Sequence, residues 1–486
     1  MTDSNDARFA RTVGRQRMSR REIIAAGTRL GLTSAALGAV LRLNDPSVEA
    51  ASGGRLAARA IRSQKPLWDK SLGAEGPWPE VAVTEPADPV TLSVSHAWDA
   101  TFMERQNQFD ALFMERHPKI TIKAENTAWA DLLQKYTTQA AGHSLADVTY
   151  VHFSWAQQLI QAELLPPLDD YIAKQKDFKL DDFSPPSLIS YRHDDKLYVV
   201  PYDEGPGNLY YNKDLFDQAG VPYPDDKWTL DRLKEVALKM TSGEGAEKIY
   251  GIGDLPSPGN AVMAPGYLFP FGAEYVNEPN ESECRIDQPE ALAAMTWWQE
   301  LRDAGAAPSP DDLATLSWPA FQFGRIAMFY EGSWATPPIQ AGAKFKWDVA
   351  KWPAGPKRHT TFSAGSGYAI TRDAANSDAA WIYLNDYLST AGQSYMWALT
   401  GRGSPARLSA WPAYLESQYA PAGAQNIRDA LTTTASHDIL DKPTASQVTL
   451  TAQPIWDEVI AGSLSVEDGL SEVCAAIGPL LAKNAS

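Results

Sequence analysis

From Val90 onward, short apolar runs alternate with stretches whose apolar residues recur every three or four positions. Val90 to Val94 reads as a strand ending in Ser95-His96-Ala97-Trp98-Asp99, and Phe102, Phe109, Leu112 and Phe113 follow at helical spacing. His117-Pro118 closes that helix, and Ile120 to Ala124 alternates as a second strand. Trp129, Leu132, Leu133, Tyr136 and Ala140 form another helical face, closed near Gly142, before a third strand from Asp147 to Val151 runs into His152-Phe153-Ser154-Trp155. This order predicts an α/β fold with a largely parallel sheet. Ligands of such sheets sit beyond the carboxyl ends of the strands, where His96, Trp98, Asn126, Trp129, Tyr150, His152 and Trp155 all fall.

The stretch from Lys196 to Phe216 breaks the rhythm. An apolar strand, Leu197 to Val200, meets Pro201, and a polar, glycine-bearing segment from Tyr202 to Asn208 leads to a second apolar run at Leu209 to Tyr211. Two strands joined without a hairpin turn suggest a chain passing from one lobe to another, with Asp203 and Glu204 as acceptors at the passage. Beyond it, Thr229 is placed to cap a helix with Leu233, Val236, Ala237 and Met240 inward, and Tyr250 to Gly253 is a strand. Tyr267 lies in a Pro- and Gly-rich stretch and is a candidate to face a cleft. Pro289 to Asp303 is a helix with Leu292, Met295, Trp298 and Leu301 on its core side. Gly324 to Trp334 and Phe362 to Ile370 repeat the strand-polar-glycine-aromatic design, and helices at 379–388, 391–399 and 465–481 complete the chain.

The 486 residues suffice for two or more domains, and a net charge of −17 argues against a nucleic-acid surface. Sixteen Trp, 19 Tyr and 15 Phe fill cores first, yet such faces also stack on sugar rings. Two cysteines give no zinc framework, and their spacing leaves open whether Cys284 and Cys474 pair; the seven histidines include no His-Glu-x-x-His. No cofactor or metal is expected. Residues 1–50 read as an export signal: arginines, with Arg20-Arg21 adjacent, then a mildly apolar stretch, then Val48-Glu49-Ala50, an order that fits the twin-arginine route to the periplasm or cell exterior. Residues 51–89 read as a tether, with Trp68 and Trp78 able to dock it.

Taken in order, several segments resemble the extracellular solute-binding proteins of ABC importers, in the carbohydrate-binding family that includes maltose-binding protein. They are Gly142 to Asp147, Leu164 to Asp169, Lys196 to Pro201, Tyr211 to Phe216 with Ala219-Gly220, Gly324 to Trp334, Gly365 to Ile370, and Thr400-Gly401 to Pro405. Each is weak alone; the ordered set, over roughly residues 90–485, is specific. Lys227-Trp228-Thr229 departs from the family's usual Pro-x-Thr-Trp, and the lipid-anchor cysteine is missing, which puts membrane tethering in doubt.

The resemblance implies two α/β lobes, 90–203 with 333–364 and 208–329 with 368–486, joined by crossings near Asp203 to Asn208, Phe329 to Gly332 and Ala364 to Tyr368. It implies a ligand cleft between lobes that close by a hinge, a monomer, and ABC permease subunits with their ATPase as partners. Carried over by position, the cleft candidates are His96, Trp98, Asp99, Tyr150, His152, Asp203, Glu204, Glu331, Trp334, Gly365, Ser366 and Tyr368, with Arg402 from the second lobe. Carboxylates that accept hydroxyls, beside tryptophans that stack on a pyranose, suit a mono- or oligosaccharide. Gly365 and Gly367 would admit close backbone approach to the ligand. A glycerophosphodiester, polyol or polyamine remains the alternative ligand. Tyr210-Tyr211 resembles the tyrosine pair of ferric-iron binders, though its Tyr-Asn-Lys context is shared by the sugar family. A two-carboxylate glycoside hydrolase is the competing enzyme class; Gly365-Ser366-Gly367 lacks nucleophile-elbow spacing.

Overall fold

A computed structural model describes residues 84–486 apart from 254–262, 278–279, 310–311, 314–317, 434, 437–441 and 486. The chain divides into units 1–67 and 68–486. The expected export signal, and the expected tether up to residue 83 with Trp68 and Trp78, lie outside the described residues.

The apolar runs become strands of two sheets. In chain order these strands are β1 (Val90–His96), β2 (Ile120–Asn126), β3 (Val148–His152), β4 (Val200–Pro206), β5 (Asn208–Asn212), β6 (Tyr250–Gly253), β7 (Ile326–Glu331), β8 (Trp347–Lys351), β9 (Thr361–Ile370) and β10 (Ala435–Ser436). In the first sheet β1 lies between β2 and β3, parallel to both, so the predicted parallel layer is present there. Beyond β3, β9 runs antiparallel to both its main neighbours, β3 over Ser366 to Ile370 and β4 from Ser363 to Tyr368, and pairs in parallel with the short β10. The second sheet runs β8-β5-β7-β6 and is parallel only between β6 and β7. Helices at Ala100–Arg116 and Trp129–Ala141 follow β1 and β2, with Phe102, Phe109, Phe113, Leu132 and Tyr136 buried as their spacing predicts. Among the described residues no helix is long and apolar enough to cross a membrane.

Gly207 alone separates β4 in the first sheet from β5 in the second. A side chain there would collide with Thr361, Phe362 and Tyr330, so the passage is glycine for lack of room. The other two expected crossings are corrected. β7 and β8 flank residues 332–346 and both belong to the second sheet, because Val349 and Ala350 pair with Tyr210 and Leu209. β9 lies wholly in the first sheet, so the chain changes sheets between β8 and β9, upstream of Ala364.

The expected lobe boundaries change accordingly. The span 333–364 carries β8 into the second sheet rather than staying with the first. The span 368–486 is divided. Ser377–Tyr387 is held to the first lobe's helix Ala100–Arg116, where Tyr383 donates to Asp110 Oδ1 at 2.8 Å and Arg116 pairs with Asp386. Ala424–Thr433 sits against β8, with Asn426 Nδ2 donating to the Val349 carbonyl at 3.0 Å. Val466–Leu481 is joined by the Cys284–Cys474 disulfide to the segment that leads into Pro289–Asp303, closing the question of pairing.

Asp110 provides a pH test of this packing. It also accepts from Gln106 Nε2 at 2.9 Å, and burial pushes its carboxyl up to about 7. A carboxyl raised above its unfolded value contributes stability that is full below the unfolded pKa and lost as pH rises through the folded one. Asp110→Asn removes that loss. Between about pH 4.5 and 8 the stability of the variant relative to the wild type should therefore move in the variant's favour by about 3 kcal/mol, whatever its offset at the acid end. Paired thermal melts across that range would show it; a constant difference would mean Asp110 is ionised throughout.

Candidate functional site

A cavity of about 300 Å³ opens between the two sheets, lined by Ala97, Asp99, Trp129, Tyr150, His152, Asp203, Met263, Trp318, Trp334, Ala364, Gly365, Ser366 and Arg402. Eight of the expected residues are brought together in it: Asp99, Tyr150, His152, Asp203, Trp334, Gly365, Ser366 and Arg402.

The polar groups stand where strands end. Asp99 follows β1, and its Oδ1 caps the next helix by accepting from the Phe102 N–H at 3.0 Å. His152 ends β3 and caps the helix Phe153–Gln161: its Nδ1 lies 3.4 Å from the Ser154 N–H and 2.8 Å from Ser154 Oγ. Accepting the backbone N–H leaves the ring proton on Nε2, and burial holds the imidazole pKa down at about 3, so this ring is neutral. Tyr150 O–H and Ser366 Oγ are hydrogen-bonded at 2.6 Å, while the Ser366 N–H donates to Asp203 Oδ1 at 2.8 Å. Burial pushes the Asp203 carboxyl up to about 7, against the opposite pull of Arg402 and the Ser366 N–H.

Arg402 lies between two glycines in the left-handed region, Gly401 (φ 70°) and Gly403 (φ 77°). Gly401 ends the helix Thr390–Thr400, its N–H donating to the Trp397 carbonyl. The guanidinium is 3.9 Å from Asp99 and 3.8 Å from Asp203, over the faces of Trp98 (5.2 Å) and Phe102 (4.9 Å). Its expected origin in the second lobe is corrected. Ser404 accepts from the Glu204 N–H at 3.0 Å and the Ala406 N–H donates to Tyr202 at 3.1 Å, so this strap is an extra edge along β4 of the first sheet.

Rings form the facing wall. Trp334 follows β7 and sits above Gly205 and Gly332, where a Cβ would meet its ring. Trp318 is 49% exposed and donates from Nε1 to Glu331 Oε2 at 3.2 Å. Across the opening, Trp129 is 46% exposed, its ring 5.3 Å from Trp155 and edge-on to His152 at 5.2 Å. The polar lining groups thus belong to the first sheet and its strap, while Met263, Trp318 and Trp334 come from the second-sheet side.

Five expected site residues do not line the cavity. His96, fully buried, is bonded through Nδ1 to the Tyr368 hydroxyl at 2.6 Å, and both rings lie in an aromatic layer beneath the floor. Trp98 belongs to that layer too, with Nε1 donating to Gln106 at 3.3 Å. Glu204 faces away and accepts from Ser363 Oγ, and Glu331 accepts from Trp318 and from the Gly332 N–H at 2.9 Å. Tyr267 is fully buried as well. Gly365 and Gly367 serve strand approach: a Cβ would lie 2.5 Å from the Asp203 and Val200 carbonyls respectively. Tyr210 is also buried, its hydroxyl 2.8 Å from Thr336 Oγ1, and so is taken up in packing.

The lining residues outside the expected set are Ala97, Trp129, Met263, Trp318 and Ala364. Trp129 carried a signal, its position just past a strand end. Met263 and Trp318 sit in irregular connections where no periodicity marks them.

Two α/β lobes around such a cavity match solved two-lobed binding proteins. One is an ABC substrate-binding protein of Listeria monocytogenes in complex with cycloalternan: TM-score 0.74 and 22% identity, covering 81% of this chain and 99% of that one. The family model for bacterial extracellular solute-binding proteins matches residues 95–394, and the chain belongs to that family. A binding protein of Brucella abortus is 28% identical over 284 residues, 55% of this chain; the match spans 64% of that relative's length. The lactose-binding protein of Rhizobium radiobacter is 25% identical over 330 residues, 64% of this chain and 74% of that one.

Proposed function

We propose that this protein is the extracytoplasmic substrate-binding component of an ABC importer, capturing a mono- or oligosaccharide in the cavity and delivering it to a membrane permease. The observation that carries this reading is the pairing of ring faces with hydroxyl partners in one cavity. Trp129, Trp318, Trp334 and Tyr150 line the same space as the acceptors Asp99 and Asp203 and the donors His152 and Arg402. A sugar presents an apolar face and a rim of hydroxyls, and so needs both. The lactose-binding relative and the cycloalternan-bound neighbour support a sugar. Capture requires no bond to be broken, and we assign the protein no enzymatic step. Export by the twin-arginine route and action as a monomer complete the reading.

The test is a thermal-shift screen of residues 51–486 against mono- and oligosaccharides, polyols, phosphodiesters and polyamines. A ligand that binds only the folded state raises the melting temperature, by about 2.7 kcal/mol of stabilisation at a hundredfold excess over Kd. A shift with a carbohydrate series is the expected result. Shifts confined to polyamines or phosphodiesters would replace the sugar while keeping the two-lobed binder.

A further inference from the structure

The charged groups of the cavity carry a restriction on its ligand. Arg402 alone suggests an anchor for a carboxylate or phosphate, since guanidinium groups pair with both. Its surroundings say otherwise. The head stands between Asp99 and Asp203, 3.9 and 3.8 Å away, and its underside rests on Trp98 and Phe102. One positive charge therefore faces two acids, Asp99 and Asp203, the second of which burial leaves only partly ionised at neutral pH and fully ionised above it. His152, whose Nδ1 is committed to the N-terminus of its helix, adds no charge.

The next layer is acidic as well. Glu331 holds Trp318 in place, and Glu204 lies behind Gly365, where a Cβ would come within 2.6 Å of its Oε2. No lysine, and no arginine other than Arg402, is among the described lining residues.

We propose, resting on the sugar-binding reading above, that the cleft selects uncharged carbohydrate and excludes its anionic forms, the uronates and sugar phosphates, with Asp99 and Asp203 as the excluding residues. A neutral hydroxyl donates to these carboxylates at no charge cost. An added carboxylate or phosphate stands against two acids whose single cation is already shared, and like charges brought together in a desolvated site cost several kcal/mol. Arg402 then acts as a positioning residue that holds the two acids at the floor.

The experiment is calorimetric titration of the wild type and Asp99→Asn with maltose, lactose and cellobiose, the same disaccharides oxidised at C6 of the terminal hexose to the uronate, glucose 1-phosphate and glycerophosphoglycerol. Asparagine retains the cap on the helix after Asp99, so the variant keeps its fold. The expected result is a neutral disaccharide that binds the wild type at least about tenfold more tightly than its uronate, with the gap narrowing several-fold in Asp99→Asn. A uronate binding as tightly as a neutral disaccharide that also binds would overturn the exclusion and leave the sugar-binding reading intact. So would a gap that Asp99→Asn leaves unchanged. Binding of the phosphates alone, or of nothing in the panel, would overturn both.

Discussion

Arg407→Met should lower the unfolding free energy by about 3–5 kcal/mol, the cost of breaking a buried charged pair from one side. The side chain is 3% exposed and packs against the stacked rings of Phe178 (5.2 Å) and Phe183 (4.4 Å). Its guanidinium donates to Asp182 at 3.1 Å, to the carbonyls of Leu388 at 2.5 Å and Lys179 at 3.4 Å, and to that of Phe178. Methionine would fill much of the volume and satisfy none of these acceptors. Lysine would fare little better, because one ammonium cannot reproduce a planar fork spread over four partners. The strap that ends at Arg407 begins at Arg402, so the loss should extend to ligand affinity even at temperatures where the variant remains folded. Denaturant midpoints, with titration of the folded variant, measure the two effects separately. A midpoint within about 1 kcal/mol of wild type would show that the clamp is dispensable.

Trp334→Ala should weaken carbohydrate binding by at least about thirtyfold, the scale of a truncated aromatic anchor at about 2 kcal/mol or more. The ring is seated by two glycines, 205 and 332, and packs on Phe362 at 5.8 Å, so its orientation is fixed before a ligand arrives. Trp334→Phe should retain most of the affinity, since a flat face survives. Calorimetry on both variants, with melts to confirm folding, separates the alternatives. A folded Trp334→Ala protein with unchanged affinity would assign the ring to packing alone.

The first lobe was legible because its chemistry follows local rules. Apolar runs of strand length and the 3.6-residue spacing after them located β1 to β3 and their helices, and residues just past a strand end fell near the cavity without any knowledge of pairing. Which face of a strand a residue occupies was harder to read. His96 and Tyr368 sit on cleft-side strands, yet their rings meet beneath the floor, since register decides between floor and cavity. The lobe boundaries depend on pairings far apart in the chain: β8 with β5, β9 with β4, and the strap at 404–406 with Tyr202 and Glu204. No local pattern announces such partners, so the sequence alone assigns β8 to the wrong sheet and Arg402 to the wrong lobe. Trp318 is illegible for another reason: it lies in an irregular connection, and its hydrogen bond to Glu331 joins residues that no local pattern links.

The disulfide has a topological consequence. Cys284 and Cys474 are separated by 190 positions, and that stretch carries Trp318, Trp334, Ser366 and Arg402. Nearly half of residues 90–486 is therefore not a linear thread but a covalent ring. A protease that cuts once within the ring opens it without releasing a piece, and the two ends stay attached through sulfur until a reductant arrives. In the oxidising space outside the cytoplasm, where such bonds persist, a single nick in a surface loop would leave the far side of the ligand cavity still tethered to the body that captures with it.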